Sequence, residues 1–161
     1  LLDLLIEERL ATLLVFDEGD DVLIEPLIQH ELFVLGTDGI FMPEGPVHPR
    51  AYGSVGRILG RLVREKKLLS LEQAIHHFSG FSARKFGLLD RGEIVEGKAA
   101  DVVIFDEATV TDRATFEDPH QTTTGFDAVL VNGVPVIENG TPADFPMPPG
   151  RFLRSKRTPH S

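Results

Sequence analysis

Cysteine and tryptophan are absent from the 161 residues of this chain, which has one tyrosine and two methionines. A chain without cysteine can form neither a disulfide framework nor a thiolate zinc site. It needs no oxidising compartment, so we expect a cytoplasmic location. Apolar residues make up 42 % of the sequence and charged residues 25 %. These values are typical of a globular protein and exclude disorder for most of the chain.

Positive charge is scarce: 16 basic residues face 25 acidic ones, which gives a formal net charge of −9. A surface of this sign repels a phosphate backbone, so nucleic acid is not an expected partner. The one basic cluster lies near the chain end and is typical of a solvated tail. It consists of Arg151, Arg154, Lys156 and Arg157. No apolar run approaches the roughly 20 residues that cross a bilayer, so no membrane partner is expected either.

The sequence begins with Leu1 inside a stretch of helical spacing, with no capping residue and no basic segment before it. We therefore expect no signal peptide. We also expect the chain to be a piece of a longer polypeptide.

The first ninety residues alternate between strand-like and helical patterns. Apolar runs at 11–16 and 32–35, separated by a helix that Asp20 or Asp21 caps and that extends to His30, predict strands of a parallel sheet. The spacing of apolar residues then predicts a long helix over 49–67.

Two further helices follow in this part of the sequence. Ser70 and Gln73 form a capping box that starts a helix, and Gly80 is expected to end it. A shorter helix is predicted from Ser82 to Gly87. The glycines at 53, 56 and 60 lie on the long helix and predict close packing against it.

Beyond Gly92 the apolar period changes from 3.6 to 2, which predicts strands. One strand is expected at 102–105, and Asn132-Gly133 between β-branched runs predicts a hairpin. Pro135 has no N–H to donate, so its strand should lie at an edge or beside a bulge. We expect the long acidic connection at 106–121 to wrap over the surface.

Asp38 follows the predicted strand at 32–35, and in α/β folds the carboxyl ends of the strands carry the chemistry. An Asp-Gly pair also forms ordinary turns, so the position alone leaves a catalytic and a structural reading open. Arg50 could hold a small carboxylate bidentately or form an exposed ion pair. His48 could donate into a pocket or tether its loop.

The six histidines form no H-x-H or H-x-x-x-H pair, so this sequence alone predicts no metal site. Of the adjacent His76 and His77, one is expected at the surface and the other partly buried with its hydrogen bonds satisfied. Tyr52 is expected to pack in the core.

Five stretches of the sequence carry a resemblance to a known family. They are Gly36-Thr37-Asp38-Gly39, His48-Pro49-Arg50-Ala51-Tyr52-Gly53, the run from 92 to 105, Thr115-Phe116-Glu117-Asp118-Pro119, and the run from 129 to 133. Together they resemble the carboxyl-terminal part of the D-aminoacylases, or N-acyl-D-amino-acid deacylases, of the metal-dependent amidohydrolase superfamily. The G-x-x-A-D-V-V and V-N-G elements are shared across that superfamily. The H-P-R-x-Y-G and T-F-E-D-P elements point to the deacylase branch.

This resemblance implies an α/β fold: the last quarter of a TIM-like (β/α)8 barrel in residues 1–91, then part of a small β-sandwich and a tail in residues 92–161. It implies that Asp38 takes a proton from a metal-bound water as this attacks the amide carbon, and then gives a proton to the leaving amine. Arg50 would hold the carboxylate of the N-acyl amino acid, with His48 beside it.

The resemblance further implies a Zn²⁺ cofactor, one or two ions, whose ligands lie mostly outside this chain, with Asp38 as a candidate ligand. The expected partners are a small N-acyl amino acid and the remainder of the polypeptide, and an oligomer is left open. Alone, the chain should be inactive. Thr37 stands where serine is commoner in the family, and it keeps a hydroxyl.

Two other functions remain open from the sequence. A hydrolase of cyclic amides, such as a dihydropyrimidine or a hydantoin, would not need Arg50 as a carboxylate anchor. A non-catalytic assembly module would instead use the β part as a docking surface.

Overall fold

The computed structural model describes residues 2–9, 19–42 and 45–153 of the chain. All the helices that the structure describes lie between residues 2 and 85, and a four-stranded antiparallel sheet follows them in the chain. The first helix, α1 (Leu2–Glu7), buries none of its residues. Among the described residues, no helix combines the length and the apolar character needed to cross a membrane.

The second helix, α2 (Asp21–Ile28), starts as predicted because the side chain of Asp20 accepts a hydrogen bond from the Val22 N–H at 2.9 Å. The cap satisfies one of the backbone donors that a helix start leaves unpaired. The helix ends at Ile28, two residues before the predicted end at His30.

The prediction of a β-strand at 32–35 is wrong for the structure as described. These residues pair with no strand in the described ranges. Phe33 and Leu35 instead pack against the apolar core, so these apolar side chains are partly buried without strand pairing. A strand needs a neighbour to hydrogen-bond, and the predicted neighbour at 11–16 lies outside the described residues.

The long helix predicted over 49–67 is confirmed. It consists of α3 (Arg50–Arg57), which continues without a break into a wider π-helical stretch, Ile58–Glu65. The wide spacing persists at the end, where the Lys66 N–H donates to the Arg61 carbonyl at 2.9 Å, five residues back. Four apolar side chains of the π-helical stretch are buried: Ile58, Leu59, Leu62 and Val63.

The next helix, α4 (Leu71–His76), begins with the predicted capping box. Gln73 N–H donates to Ser70 Oγ at 3.2 Å, and Gln73 Oε1 accepts from the Ser70 N–H at 2.8 Å.

The predicted end at Gly80 is wrong, because the chain stays helical through the π-helical stretch His77–Phe81 into α5 (Ser82–Lys85). Gly80 is buried inside this helix, where a Cβ atom would lie 3.4 Å from the Gly92 carbonyl. Gly87 ends the helical region as predicted, with a positive φ of 72°.

The sheet consists of β1 (Val102–Phe105), β2 (Phe126–Val131), β3 (Val134–Glu138) and β4 (Thr141–Pro142), in that order. The predicted hairpin joins β2 and β3, and Asn132 and Gly133 both have positive φ, 50° and 79°. Pro135 lies opposite Leu130, where the register shifts, so the predicted bulge is confirmed.

One apolar core joins the helical part to the connection between β1 and β2. Val110 is 1 % exposed and belongs to the same cluster as Ile58 and Leu59. The prediction that residues 106–121 only wrap over the surface is therefore wrong for Val110, and also for Ala114, which is buried.

Glycines on α3 and its π-helical extension make this approach feasible, as the sequence predicted. A Cβ atom at Gly56 would lie 2.8 Å from the Asp112 backbone nitrogen, and one at Gly60 would lie 2.8 Å from the Val110 carbonyl oxygen. A side chain at either position would push the two segments apart.

Candidate functional site

Asp38 lies at the end of the extended segment that follows α2. Its backbone φ is +47°, a left-handed conformation that Asp tolerates better than most residues. Thr37 Oγ1 accepts a hydrogen bond from the Gly39 N–H at 3.3 Å and so closes the turn around Asp38. The Asp38 side chain is 80 % exposed among the residues that the structure describes.

Arg50, the first residue of α3, reaches Asp38 at two points. Its Nη2 lies 2.7 Å from Asp38 Oδ2, and its Nε donates to the Asp38 backbone oxygen at 3.0 Å. Two predicted site residues that are twelve positions apart in the sequence are therefore in contact. The structure has Arg50 in an ion pair, and its role as an anchor for a substrate carboxylate stays a prediction.

His48 contacts the first residue of α3. Its Nδ1 accepts a hydrogen bond from the Arg50 N–H at 3.1 Å, which is a tethering geometry. Its ring meets the Phe116 ring edge-on, with 5.0 Å between centroids. The two motifs that resemble the deacylase branch, H-P-R-x-Y-G and T-F-E-D-P, therefore touch in the fold. A role for His48 in substrate binding stays a prediction.

Tyr52 and His120, the residue directly after T-F-E-D-P, form a second contact between these two parts of the chain. The sequence did not predict any role for His120. Tyr52 Oη lies 3.3 Å from His120 Nδ1, and His120 Nε2 lies 3.0 Å from the Gly45 carbonyl oxygen. Tyr52 is half-buried, and its ring also meets Phe41 at 5.6 Å. A histidine directly after T-F-E-D-P is the only sequence signal that could have found His120.

A cavity of about 370 Å³ opens beside His48 and Arg50, between α2, α3 and the segment around Ala114. Arg57 and Asp112 also line it, and their nearest charged atoms are 4.0 Å apart. Sequence reasoning missed this pair because 55 residues separate the two partners in the chain, a spacing that no helix or turn rule covers.

The charges of α2 lie at the far side of this cavity. A hydrogen bond and the positive charge of Lys66, followed by the charge of Arg61, hold the pKa of Asp21 below its ordinary value. In return, the hydrogen bonds that the Lys66 ammonium donates to Glu25 and Asp21 raise the pKa of Lys66. These ion pairs hold α2 against the end of the long helix.

In the ranges that the structure describes, no group of three or more histidine, aspartate and glutamate residues is arranged to hold a metal ion. Asp38 supplies a single carboxylate. His76 is exposed and His77 is buried, but Nδ1 of His77 has no hydrogen-bond partner among these residues. The expectation that the buried histidine is fully satisfied is therefore wrong for this atom. The residues described do not by themselves fit a zinc ion.

Known proteins are similar to this chain in sequence and in fold. N-acyl-D-glutamate deacylase of Alcaligenes xylosoxydans xylosoxydans is 44 % identical over 144 residues, which are 89 % of this chain and 28 % of that protein. A solved D-aminoacylase matches with a TM-score of 0.72 at 38 % identity, over 76 % of this chain and 26 % of that one. The N-acyl-D-glutamate deacylase of Bordetella bronchiseptica, solved with zinc and a phosphonate inhibitor, matches with a TM-score of 0.69 at 41 % identity, over 76 % of this chain and 27 % of that one.

The chain thus spans little more than a quarter of the length of its relatives. Residues 25–137, which include the Asp38–Arg50 contact and both deacylase motifs, match the amidohydrolase family. The resemblance to the D-aminoacylases is confirmed by the relatives just described. On these grounds, the chain belongs to the amidohydrolase family.

Proposed function

We propose that this chain is the carboxyl-terminal part of a zinc-dependent enzyme that hydrolyses the amide bond of N-acyl-D-amino acids. The contact of Asp38 with Arg50 carries the proposal: an acid and a carboxylate binder meet in a region about 40 % identical to deacylases of that substrate class. The preference for the D stereoisomer is supported by those relatives alone.

In this proposal Asp38 is the residue that moves protons. It accepts a proton from the water that attacks the amide carbon and donates one to the nitrogen that leaves. The exposure of its side chain, 80 % among the described residues, supports this role because a water molecule and a substrate can reach the carboxylate. Amide hydrolysis needs both transfers, because an amine leaves as a neutral molecule only after its nitrogen has been protonated.

Arg50 binds the substrate's carboxylate in the same proposal. A guanidinium has five N–H donors in a planar fork, and Asp38 takes two of them, one from Nε and one from Nη2. No described residue accepts a hydrogen bond from Nη1. A substrate carboxylate could therefore bind across Nη1 and Nη2 while Nε holds the Asp38 backbone.

Zinc belongs to the complete protein in this proposal, since the described residues offer Asp38 as a single candidate ligand. The other ligands would come from the rest of the polypeptide. When bound, such an ion supplies a Lewis acid and lowers the pKa of a bound water. The supporting observation is the zinc in the Bordetella bronchiseptica relative.

The finer assignment of the fold is part of the proposal. Residues 1–91 would complete a (β/α)8 barrel, and residues 92–161 would contribute strands to a small β-sandwich. The order of helices before an antiparallel sheet and the likeness to the solved D-aminoacylase support this division. We also keep the prediction of a cytoplasmic location.

The first test replaces Asp38 with Asn in the complete protein that carries this chain. We expect turnover of N-acetyl-D-amino acids to fall by at least about a hundredfold, because the proton acceptor is lost. Asp127→Asn is the matched control, an exposed aspartate on β2 that should leave turnover unchanged. Near-normal turnover by the Asp38 variant would remove this residue from the chemistry.

A second test replaces Arg50 with Lys and measures kcat and KM separately. Lysine keeps the charge but loses the bidentate fork, so we expect KM to rise about tenfold with a smaller change in kcat. Arg113→Lys, at an exposed position, is the matched control. An unchanged KM, or turnover of a hydantoin or dihydropyrimidine that Arg50→Lys does not affect, would favour a cyclic-amide hydrolase instead.

A chelator should abolish the activity of the complete protein, and added Zn²⁺ should restore it. Full activity after exhaustive chelation would contradict the zinc assignment while leaving the roles of Asp38 and Arg50 to the two variants.

A further inference from the structure

The T-F-E-D-P motif carries no chemistry in the proposed function, yet it and the residues that follow it contact the start of α3 at several points. We propose that the turn at residues 115–121, here called the bracing turn, positions Arg50 for the substrate carboxylate, and that His120 is its principal positioning residue. This inference rests on the proposed function and extends it to a residue that touches neither Asp38 nor Arg50.

The residue types of the motif build the bracing turn itself. Thr115 closes it twice: its N–H donates to the Asp118 carbonyl at 3.1 Å, and its Oγ1 accepts from the Asp118 N–H at 3.0 Å. The Asp118 carboxylate then accepts from Gln121 Nε2 at 2.6 Å. Thr115 and Asp118 therefore hold a compact turn that presents Phe116 and His120 to α3.

Three contacts from this part of the chain reach the first turn of α3 and the residues just before it. The Phe116 ring lies against His48, whose Nδ1 holds the Arg50 N–H. His120 reaches the Tyr52 hydroxyl. Beyond the bracing turn, Thr123 Oγ1 donates to the Tyr52 carbonyl at 3.0 Å. The backbone on both sides of Arg50 is therefore held from outside its own helix.

His120 is the one member of this set that also holds the chain on the Asp38 side. Its Nε2 must carry the proton, because the Gly45 carbonyl can only accept a hydrogen bond. In the neutral imidazole Nδ1 is then the acceptor, so the Tyr52 hydroxyl donates to it. One side chain thus bridges Gly45, in the loop that follows Asp38, to Tyr52, two residues after Arg50.

The expected effect acts through geometry, since His120 has no contact with the reacting groups. Loss of the bridge frees the first turn of α3, so the Arg50 fork meets the substrate carboxylate less often in the right orientation. A single hydrogen-bonded bridge at an exposed position supports a change of about fivefold in KM.

The test compares His120→Ala and His120→Gln in the complete protein, with His76→Ala as the control for loss of an exposed imidazole. Two quantities are measured: kcat and KM for N-acetyl-D-glutamate, and backbone hydrogen exchange over residues 45–53. We expect His120→Ala to raise KM about fivefold with little change in kcat, and to speed exchange over 45–53. Gln carries a donor and an acceptor, so it should recover part of both effects. His76→Ala should change neither.

A double variant asks whether His120 acts through Arg50. Added to Arg50→Lys, His120→Ala should raise KM by much less than it does alone, because the orientation it protects is already lost. An equal increase on both backgrounds would overturn the inference. So would unchanged KM and exchange in His120→Ala, or an equal loss in all variants with a lower Tm, which a merely structural role would produce.

Failure of the proposed function is distinguishable from failure of this inference. If the unaltered protein hydrolyses no N-acyl-D-amino acid, the proposed function fails. Hydrogen exchange is then the one measurement that still tests the contacts of His120. Faster exchange over 45–53 in His120→Ala would then show that His120 holds the start of α3 but not that it serves a substrate, and unchanged exchange would overturn both.

Discussion

Two helices of this chain, α2 and the long helix that starts with α3, line the cavity, but the fold holds them in different ways. In α2 only Ile28 is buried, and Val22, Leu23 and Leu27 are 74 %, 70 % and 66 % exposed. The α3 helix and its π-helical extension instead bury a stripe of apolar side chains under the segment around Val110.

The difference shows which forces act on each helix. Besides Ile28, α2 is held by ion pairs, with Asp21 paired to both Arg61 and Lys66, and Glu25 paired to Lys66. The long helix is held by close packing, which its glycines permit. Exposed ion pairs contribute little stability and weaken in salt, whereas buried packing contributes more and does not. The placement of the long helix that carries Arg50 therefore depends on packing more than on charge.

The largest expected effect comes from filling the contact of α3. We expect Gly56→Val to lower the free energy of unfolding by about 3 kcal/mol, because its side chain would overlap Thr123 and the Asp112 backbone. Valine loses less backbone entropy than glycine when a helix forms, which by itself would stabilise the protein. A lower free energy of unfolding therefore reports on packing. Thermal unfolding of the complete protein measures it.

Gly150→Val is the control for that substitution, since no atom lies within 4 Å of a Cβ placed there. It should leave Tm nearly unchanged. Equal Tm values for the two variants would mean that the segment carrying Asp112 and Thr123 does not approach α3 as described.

A smaller effect is expected from the other side of the same contact. Val110→Ala removes two buried methyl groups, so we expect a loss of about 2 kcal/mol in the free energy of unfolding. Val103→Ala on β1 is the control, because that side chain is about half exposed and should cost much less. A cost at Val110 no larger than at Val103 would contradict the shared core.

The smallest effect is expected in α2. Asp21→Asn removes the carboxylate that pairs with Lys66 and Arg61, and we expect a slight loss of stability at neutral pH that about 1 M salt removes. Because the folded state lowers the pKa of Asp21 from its ordinary 3.8, this contribution is present above that value and is lost as pH falls through the lowered pKa.

Unfolding curves of the Asp21→Asn variant and the unaltered protein, measured from neutral to strongly acidic pH, check this sign. The two curves should differ at neutral pH and converge in acid. A difference that grows in acid, or that survives 1 M salt, would mean that Asp21 contributes by something other than its charge.

Features set by neighbouring residues could be predicted from the sequence. The capping box of Ser70 and Gln73, the Asn132-Gly133 hairpin and the stop at Gly87 each depend on a few adjacent positions. The spacing of the glycines on the long helix also predicted close packing, although it could not say which segment would approach.

Features set by distant partners could not be predicted in the same way. The helix continues through Gly80, although a glycine often ends a helix, and Val110 is buried because a glycine-lined helix face lies over it. Residues 32–35 have the composition of a strand but no partner strand in the described ranges.

The same distinction between neighbouring and distant partners applies to the candidate site. Asp38 and Arg50 could be singled out because each residue type and its position beside a turn or a helix start suggest a chemistry. Their contact with each other, and the part that His120 plays beside them, could not be predicted. Those depend on loop geometry and on a segment some seventy residues further along the chain, for which spacing rules give no signal.

The shared core also has a consequence for folding while the chain is being synthesised. The glycine-lined face around Gly56 leaves the ribosome before Val110 has been synthesised. At about 5 to 20 residues per second, the intervening stretch takes roughly 3 to 10 seconds to make. During that interval the nascent chain presents an apolar helix face without its cover, and this is the stage at which a chaperone would have most to protect.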